Sequence, residues 1–263
     1  MKVYETGNIR NIVVMGHGGC GKTTLVEAIA YQTGITARMG KVTDGNTISD
    51  YDKEEQKRQF SISTSVVPVE FEDIKINFLD TPGYFDFVGE VEEACHAAGA
   101  AVIVINGKSG VEVGTLKAWE LCEKYKLPRL FFVTGMDDDQ ASYRKIVLEL
   151  NDRFGRKVAP FHVPIRENEK FVGFVNVVKM KGRRFINDTS EYEECDIPDY
   201  MDKHLNISRD ALVEAVADTS EELMERYFAG EEFTYEEVST ALRTHVMDCQ
   251  IVPVLVGSGV HNQ

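Results

Sequence analysis

A mostly parallel, doubly wound α/β sheet carrying an inserted α+β subdomain is what this sequence predicts, on three observations. Strand-like apolar runs alternate with helical patterns through the first 155 residues, the rhythm of a sheet wound by crossover helices. The run AAVIVIN (100–106) is continuously apolar, as in a strand buried on both faces. The rhythm breaks near Gly155 and returns at IVPVLVGSG (251–259). The expected division is therefore a first domain over 1–155, completed by 251–263, with an insert over 156–250.

Each element follows in order. Ile9–Met15 reads as a buried strand, followed by a glycine loop and a helix, KTTLVEAIAYQTG, that closes on Gly34. Residues 35–60 are polar and mixed and read as a long, mobile connection. SISTSVVPVEF (61–71) and IKINFLD (74–80) are separated by two acidic residues and predict a hairpin. VGEVEEACHAAG is helical, AAVIVIN a strand, and VEVGTLKAWELCEKYK an amphipathic helix; RLFFV and DQASYRKIVLELNDRFG give the next strand and helix. In the insert, VAPFHVP, FVGFVNVVK and MKGRRFIN (180–187) form a small group of strands. An acidic stretch and two helical segments, 208–229 and 234–248, follow.

Chemistry concentrates in GHGGCGKT, Gly16–Thr23, which matches G-x-x-x-x-G-K-[ST] between a strand and a helix. Glycines let such a loop wrap a phosphate with backbone N–H groups, and the helix N-terminus adds positive potential. Lys22 reaches β- and γ-phosphates and Thr23 offers a hydroxyl to Mg²⁺. The bland alternative, a glycine-rich turn with an incidental lysine, does not explain the strand–loop–helix order. Asp80, ending the strand INFLD, is the second metal-side residue. The following TPG places Gly83 where a backbone N–H meets a γ-phosphate. Alone, Asp80 is equally a turn former at a strand end.

Composition sets bounds. The 263 residues are 43% hydrophobic and 27% charged, ordinary for a globular chain that buries a core. The formal charge of −14 weighs against broad, non-specific binding of bare nucleic acid, free DNA included, or of anionic membrane. The five cysteines lack the spacing of a zinc knuckle or redox pair, which suits reduced thiols in a cytosol. No stretch approaches the roughly 20 apolar residues of a membrane span. A soluble, cytoplasmic protein is the expectation.

With DTPGYFDF beside GHGGCGKT, the chain resembles the translational GTPases, and elongation factor G most closely. The likeness runs its whole length. TDGNTISDYDKEEQKRQFSIS resembles the first switch region. GFVNVVKMK and TSEELMERYFAGEEFTYEEV resemble the G′ insert, and VPVLVGSGVHNQ the guanine-side loop. The resemblance implies a P-loop NTPase fold, GTP or GDP and Mg²⁺ as ligands, and GTP hydrolysis. It implies nucleotide contacts from His17, Gly18, Gly19, Cys20, Gly21, Lys22, Thr23, Thr24, Asp80, Gly83, Met136, Asp137, Ser258, Gly259 and Val260. It implies metal ligation by Thr23, Ser61 and Asp80, and roles in hydrolysis for Lys22, Gly83 and Tyr84. The implied partners are the ribosome and its acidic stalk protein, met by a monomer that continues into further domains.

The family pattern is broken in four places, at five residues. Thr134 and Gly135 stand where the family has Asn-Lys before the base-reading aspartate, here Asp137. One carboxylate can accept from both N1–H and the exocyclic amine of guanine, whereas adenine would face it with an acceptor. Guanine selectivity can therefore rest on Asp137 with lower affinity; otherwise 137–139 are three aspartates solvating a turn. Tyr84 replaces a histidine that positions the attacking water. A phenol can hydrogen-bond a water but, with a pKa near ~10, is no base at neutral pH, so it is either a water-positioning group or an apolar plug. Gly19 replaces an aspartate, and Ser61 replaces a threonine while keeping the hydroxyl. A tyrosine after DTPG and a glycine-rich phosphate loop resemble an elongation-factor-G-like subgroup.

Two other readings stay open. A deviant-Walker ATPase has a lysine where His17 stands. A nucleotide-switched ribosome-binding module would hydrolyse slowly or never. The basic cluster Lys179, Lys181, Arg183 and Arg184 and the acidic residues Glu221, Glu222, Glu225, Glu231 and Glu232 read first as solvated faces.

Overall fold

The structure, a computed structural model, describes residues 2–168, 170–186 and 189–263. It divides into two compact units. The first runs to Asn106 and includes Glu112–Leu127 and Ser258–Asn262; the second holds Gly107–Val111, Pro128–Gly257 and Gln263.

The first unit contains β1 (Ile9–Gly16), α1 (Lys22–Gln32), α2 (Lys53–Arg58), β2 (Ser65–Phe71), β3 (Ile74–Asp80), α3 (Val88–Ala97), β4 (Ala100–Asn106) and α4 (Val113–Tyr125). Its strands lie in the order β2-β3-β1-β4. β1 pairs in parallel with β3, Val14 opposite Asp80, and with β4, Gly16 opposite Val104. β2 and β3 form the antiparallel hairpin. Pro68 interrupts β2 at the outer edge, where a missing N–H is tolerated. Val13, Val14, Met15, Ile103, Val104 and Ile105 are buried as the apolar runs predict. The loop after β1 thus sits at the carboxyl end of a strand whose neighbours are reached in opposite directions, the place where open α/β sheets bind ligands.

Three local expectations change. The hairpin's first strand begins at Ser65, not Ser61, because the N–H groups of Ile62 and Ser63 donate to Glu55 Oε1, at 2.9 and 3.1 Å, instead of to a strand. The connection 35–60 is not featureless. It contains α2, capped by Asp52 and Glu55, and is fastened to α1 by Glu27, whose buried carboxylate accepts from Gly40 N and Ile48 N, both at 2.7 Å. The helix expected over 208–229 is two helices, as described next.

The second unit contains β5 (Arg129–Thr134), α5 (Tyr143–Phe154), β6 (Val158–Pro160), β7 (His162–Glu167), β8 (Lys170–Asn176), β9 (Lys181–Phe185), β10 (Tyr192–Cys195), α6 (Asp202–Ala217), α7 (Glu221–Phe228), α8 (Tyr235–Met247) and β11 (Val252–Val256). β5, β11 and β6 run parallel, in that order. β10-β9-β8-β7 is a separate antiparallel sheet. Of the run expected over 180–187, residue 187 lies outside the described residues. α6 starts at Asp202, and Ser220 opens a new helix by accepting from Leu223 N at 3.2 Å. In the basic cluster, Arg184 pairs with Glu167, and the Arg183 guanidinium lies 4.5 Å from the Tyr192 ring centre.

Candidate functional site

The glycine loop leads into an α1 whose first turn has no side-chain cap. Its leading N–H groups are donors without helical partners, the arrangement that receives a phosphate. Lys22 is buried, its ammonium donating to the carbonyls of Gly16 (3.2 Å) and His17 (3.0 Å) within the loop. A cavity of about 200 Å³ opens here, lined by Gly18, Gly19, Gly21, Lys22, Thr23, Thr24, Asp50, Ser61, Gly83 and Tyr84 among others. Gly83 comes so close to the loop that a Cβ on it would lie 2.4 Å from Lys22 Nζ and 2.7 Å from Gly18 Cα. Any larger residue would push the turn after β3 away from the phosphate loop.

The three proposed metal ligands fall together. Thr23 Oγ1 and Ser61 Oγ are 3.2 Å apart. The Ser61 hydroxyl donates to Asp50 Oδ1 at 2.7 Å, and Thr47 lies 3.4 Å from Oδ2 of the same carboxylate. Asp80 is 1% exposed, and among the described residues neither carboxylate oxygen has a hydrogen-bond partner at bonding distance. Burial pushes its pKa up to about 6; Ser49, Lys22 and Thr23 pull the other way and Asp50 adds to the rise. An unpartnered buried carboxylate beside two hydroxyls is expensive on its own and is a hard-oxygen set of the kind Mg²⁺ takes, with few protein ligands. The residues therefore fit that ion. Burial also raises the Asp50 carboxyl, against the opposing Ser61 bond. Asp50 was missed in the sequence, where it is one of several acids in a polar stretch.

Tyr84 is half-exposed. Its ring lies over the loop, 3.4 Å from where a Cβ on Gly18 would be, and 4.7 Å from the Phe60 ring centre. His17 does not point at the cavity's Thr23 side but to α4: its Nδ1 accepts from Gly114 N at 3.3 Å, and its Nε2 is 3.6 Å from Glu112. Cys20 is fully buried in the loop, and burial raises its thiol pKa.

Of the residues expected at the base, Met136 and Asp137 belong to the second unit and Ser258, Gly259 and Val260 to the first. In the second unit, Thr134 and Met136 are buried at the end of β5, and Gly135 turns the chain with φ +66°. The Asp138 N–H closes the turn on Gly135 O at 3.1 Å, just after Asp137. The turn is held by residues elsewhere in the unit. Arg166 donates to the carbonyls of Asp138 (2.9 Å) and Ala141 (3.0 Å), and Gly107 N donates to Thr134 O at 2.8 Å. Nothing local in the sequence marks Arg166. In the first unit, Ser258 is fully buried and its Oγ accepts from His261 N at 3.3 Å. Gly259 packs against Thr24, and Val260 is exposed.

Comparison with known proteins identifies the family. The family described as elongation factor Tu GTP binding domain matches residues 7–263. A protein from Thermus thermophilus, known from its crystal structure, superposes with a TM-score of 0.88 at 36% identity. The match covers 97% of this chain and 38% of that one, so this chain spans well under half the length of that relative. The phosphate loop and these matches together show that the chain belongs to the elongation factor Tu GTP-binding domain family, among the elongation-factor-G-like translational GTPases.

Proposed function

We propose that this chain is the GTP-binding and GTP-hydrolysing part of an elongation-factor-G-like factor that couples nucleotide turnover to ribosome translocation or a related step of translation. The observation that carries the reading is the unpartnered, buried Asp80 carboxylate set beside Thr23, Ser61 and Lys22. In this reading Lys22 and the α1 N-terminus hold the β- and γ-phosphates. Thr23, Ser61 and Asp80 would hold Mg²⁺, which would offset phosphate charge. Gly83 N–H meets the γ-phosphate. Asp137 reads N1–H and the amine of guanine, and Ser258–Val260 flank the base with Met136. Phosphoryl transfer depends on positioning and electrostatics more than on a strong base, so the Tyr84 phenol suffices to place the attacking water.

The domain division proposed is 1–155 with 251–263 for the G domain and 156–250 for a G′-type insert. The ribosome and its stalk protein are the proposed partners of a cytoplasmic, monomeric factor. Among the described residues no helix is long and apolar enough to cross a membrane.

Calorimetric titration of this chain with GDP, GTP and ATP, each with Mg²⁺, tests the reading. Tight guanine binding with ATP silent is expected; equal or preferred ATP binding would withdraw the guanine assignment. A second reading, a switch that binds ribosomes with little hydrolysis, draws on the apolar packing of Tyr84 against Phe60. Ribosome-stimulated turnover by the full-length protein, wild type against Tyr84→His, separates the two. Equal, fast rates sink the switch-only reading; a slow wild type accelerated by histidine favours it.

A further inference from the structure

A larger cavity lies in the second unit, away from the phosphate loop. It holds about 300 Å³ between α5, β7 and α6, the lower end of small-ligand pockets. Val147, Leu148, Val163, Pro164, Ile207 and Ala211 make its walls apolar. Leu148 and Ile207 are about half exposed at its mouth. The chain has 43 acidic residues against 29 basic ones, yet among the described residues the lining contains no carboxylate and does contain Arg144, Arg166 and His204. Apolar walls with a cationic fringe, in so acidic a protein, select one chemistry: an apolar body with a single anionic head. Tyr143, also in the wall, has a buried hydroxyl without a hydrogen-bond partner among the described residues. Such a group costs stability until an acceptor reaches it.

We propose that this pocket binds a small amphiphilic anion, of the kind a medium-chain carboxylate represents, and that its occupancy loosens the turn that follows Asp137. The link is Arg166. The same guanidinium that lines the pocket holds the carbonyls of Asp138 and Ala141. An anionic head competes with those carbonyls for its N–H groups, because a carboxylate is the stronger acceptor. Ligand and guanine nucleotide then oppose each other, and by linkage each weakens the other equally. The pocket part stands on its own; the coupling part rests on the proposed guanine reading.

The test uses 1-anilinonaphthalene-8-sulfonate as a fluorescent probe, decanoate and decanol as competitors, and fluorescently labelled GDP with Mg²⁺. Saturable probe binding displaced by decanoate but much less by decanol is expected; equal displacement overturns the anionic specificity. Ala211→Trp, which fills the cavity, should abolish the saturable binding. Arg144→Glu, at an exposed position that leaves folding intact, should weaken decanoate roughly fivefold. Binding unchanged in both variants overturns the site. Saturating decanoate should weaken labelled GDP roughly fivefold to tenfold, and an unchanged affinity overturns the coupling. If labelled GDP binds under no condition, the guanine reading fails while the probe and decanoate data still decide the pocket.

Discussion

The backbone N–H of Gly114, in the first turn of α4, donates to Nδ1 of His17 in the phosphate loop at 3.3 Å. That bond puts the ring proton of a neutral His17 on Nε2, facing Glu112 at 3.6 Å. The approach is close enough that a Cβ on Gly114 would lie 2.4 Å from His17 Cα. Gly114→Ala must therefore move the loop or the helix. We expect the variant to stay folded and to bind GDP about tenfold more weakly, the scale of one lost and displaced hydrogen bond near a site. Calorimetry with GDP checks this, and an unchanged affinity would show that α4 does not support the loop.

Asp137 gives a second prediction. Guanine offers two donors to its carboxylate; xanthine keeps N1–H and replaces the amine with an acceptor. Asp137→Asn, whose amide supplies a donor, should lose GDP affinity by at least about tenfold and gain xanthosine diphosphate. Parallel titrations decide it. No exchange of preference would mean that the aspartate only solvates its turn.

The Asp80 carboxyl predicts a conflict between stability and binding. Its folded pKa, about 6, lies above the ordinary 3.8 because the charge is buried. A raised carboxyl pKa means that its contribution is complete below about pH 4 and is lost as pH rises through about 6. With EDTA at pH 8, Asp80→Asn should then be more stable than wild type by up to about 3 kcal/mol. It should also lose the part of nucleotide affinity that Mg²⁺ adds. Thermal melts at pH 4 and pH 8, with titrations in Mg²⁺ and in EDTA, test both halves. A variant less stable at pH 8 contradicts the first, and retained Mg²⁺ dependence the second.

His162, in β7, predicts acid sensitivity in the second unit. Burial, with Arg183 adding to it, lowers its pKa to about 4, and its ring lies 4.3 Å from that of Phe174. A depressed imidazole pKa contributes stability above about pH 6.5 that is lost as pH falls through about 4. His162→Phe keeps an aromatic ring there and removes the titration. Its melting temperature should rise relative to wild type as pH drops from 7 to 4. A constant difference would place the acid sensitivity elsewhere.

What could be read from the sequence was local. The phosphate loop, the strand ending at Asp80 and the return to strand character near 251 follow from spacing and apolar periodicity. What could not be read depended on long-range partners. Ser61 to Ser63 have strand-like letters, but their polar groups are taken by Asp50 and Glu55. Ser220 as a cap was a readable signal for the break between α6 and α7, overridden by the helix-forming residues around it. Arg166 supports the Asp138–Ala141 turn from 25 and 28 residues away, a distance no local pattern spans.

The fastenings of the 35–63 segment have a consequence for how it can change over generations. Glu27 and Glu55 grip main-chain N–H groups, those of Gly40, Ile48, Asp52, Ile62 and Ser63, and every residue but proline carries such a group. The shape of the segment is thus written in two acidic side chains rather than in the letters they hold. Most of its surface residues are free to drift or to adapt to a new partner. Gly40, where a Cβ would lie 2.4 Å from Asn46 O, and the two glutamates are the positions where a change should be answered by misfolding of the loop.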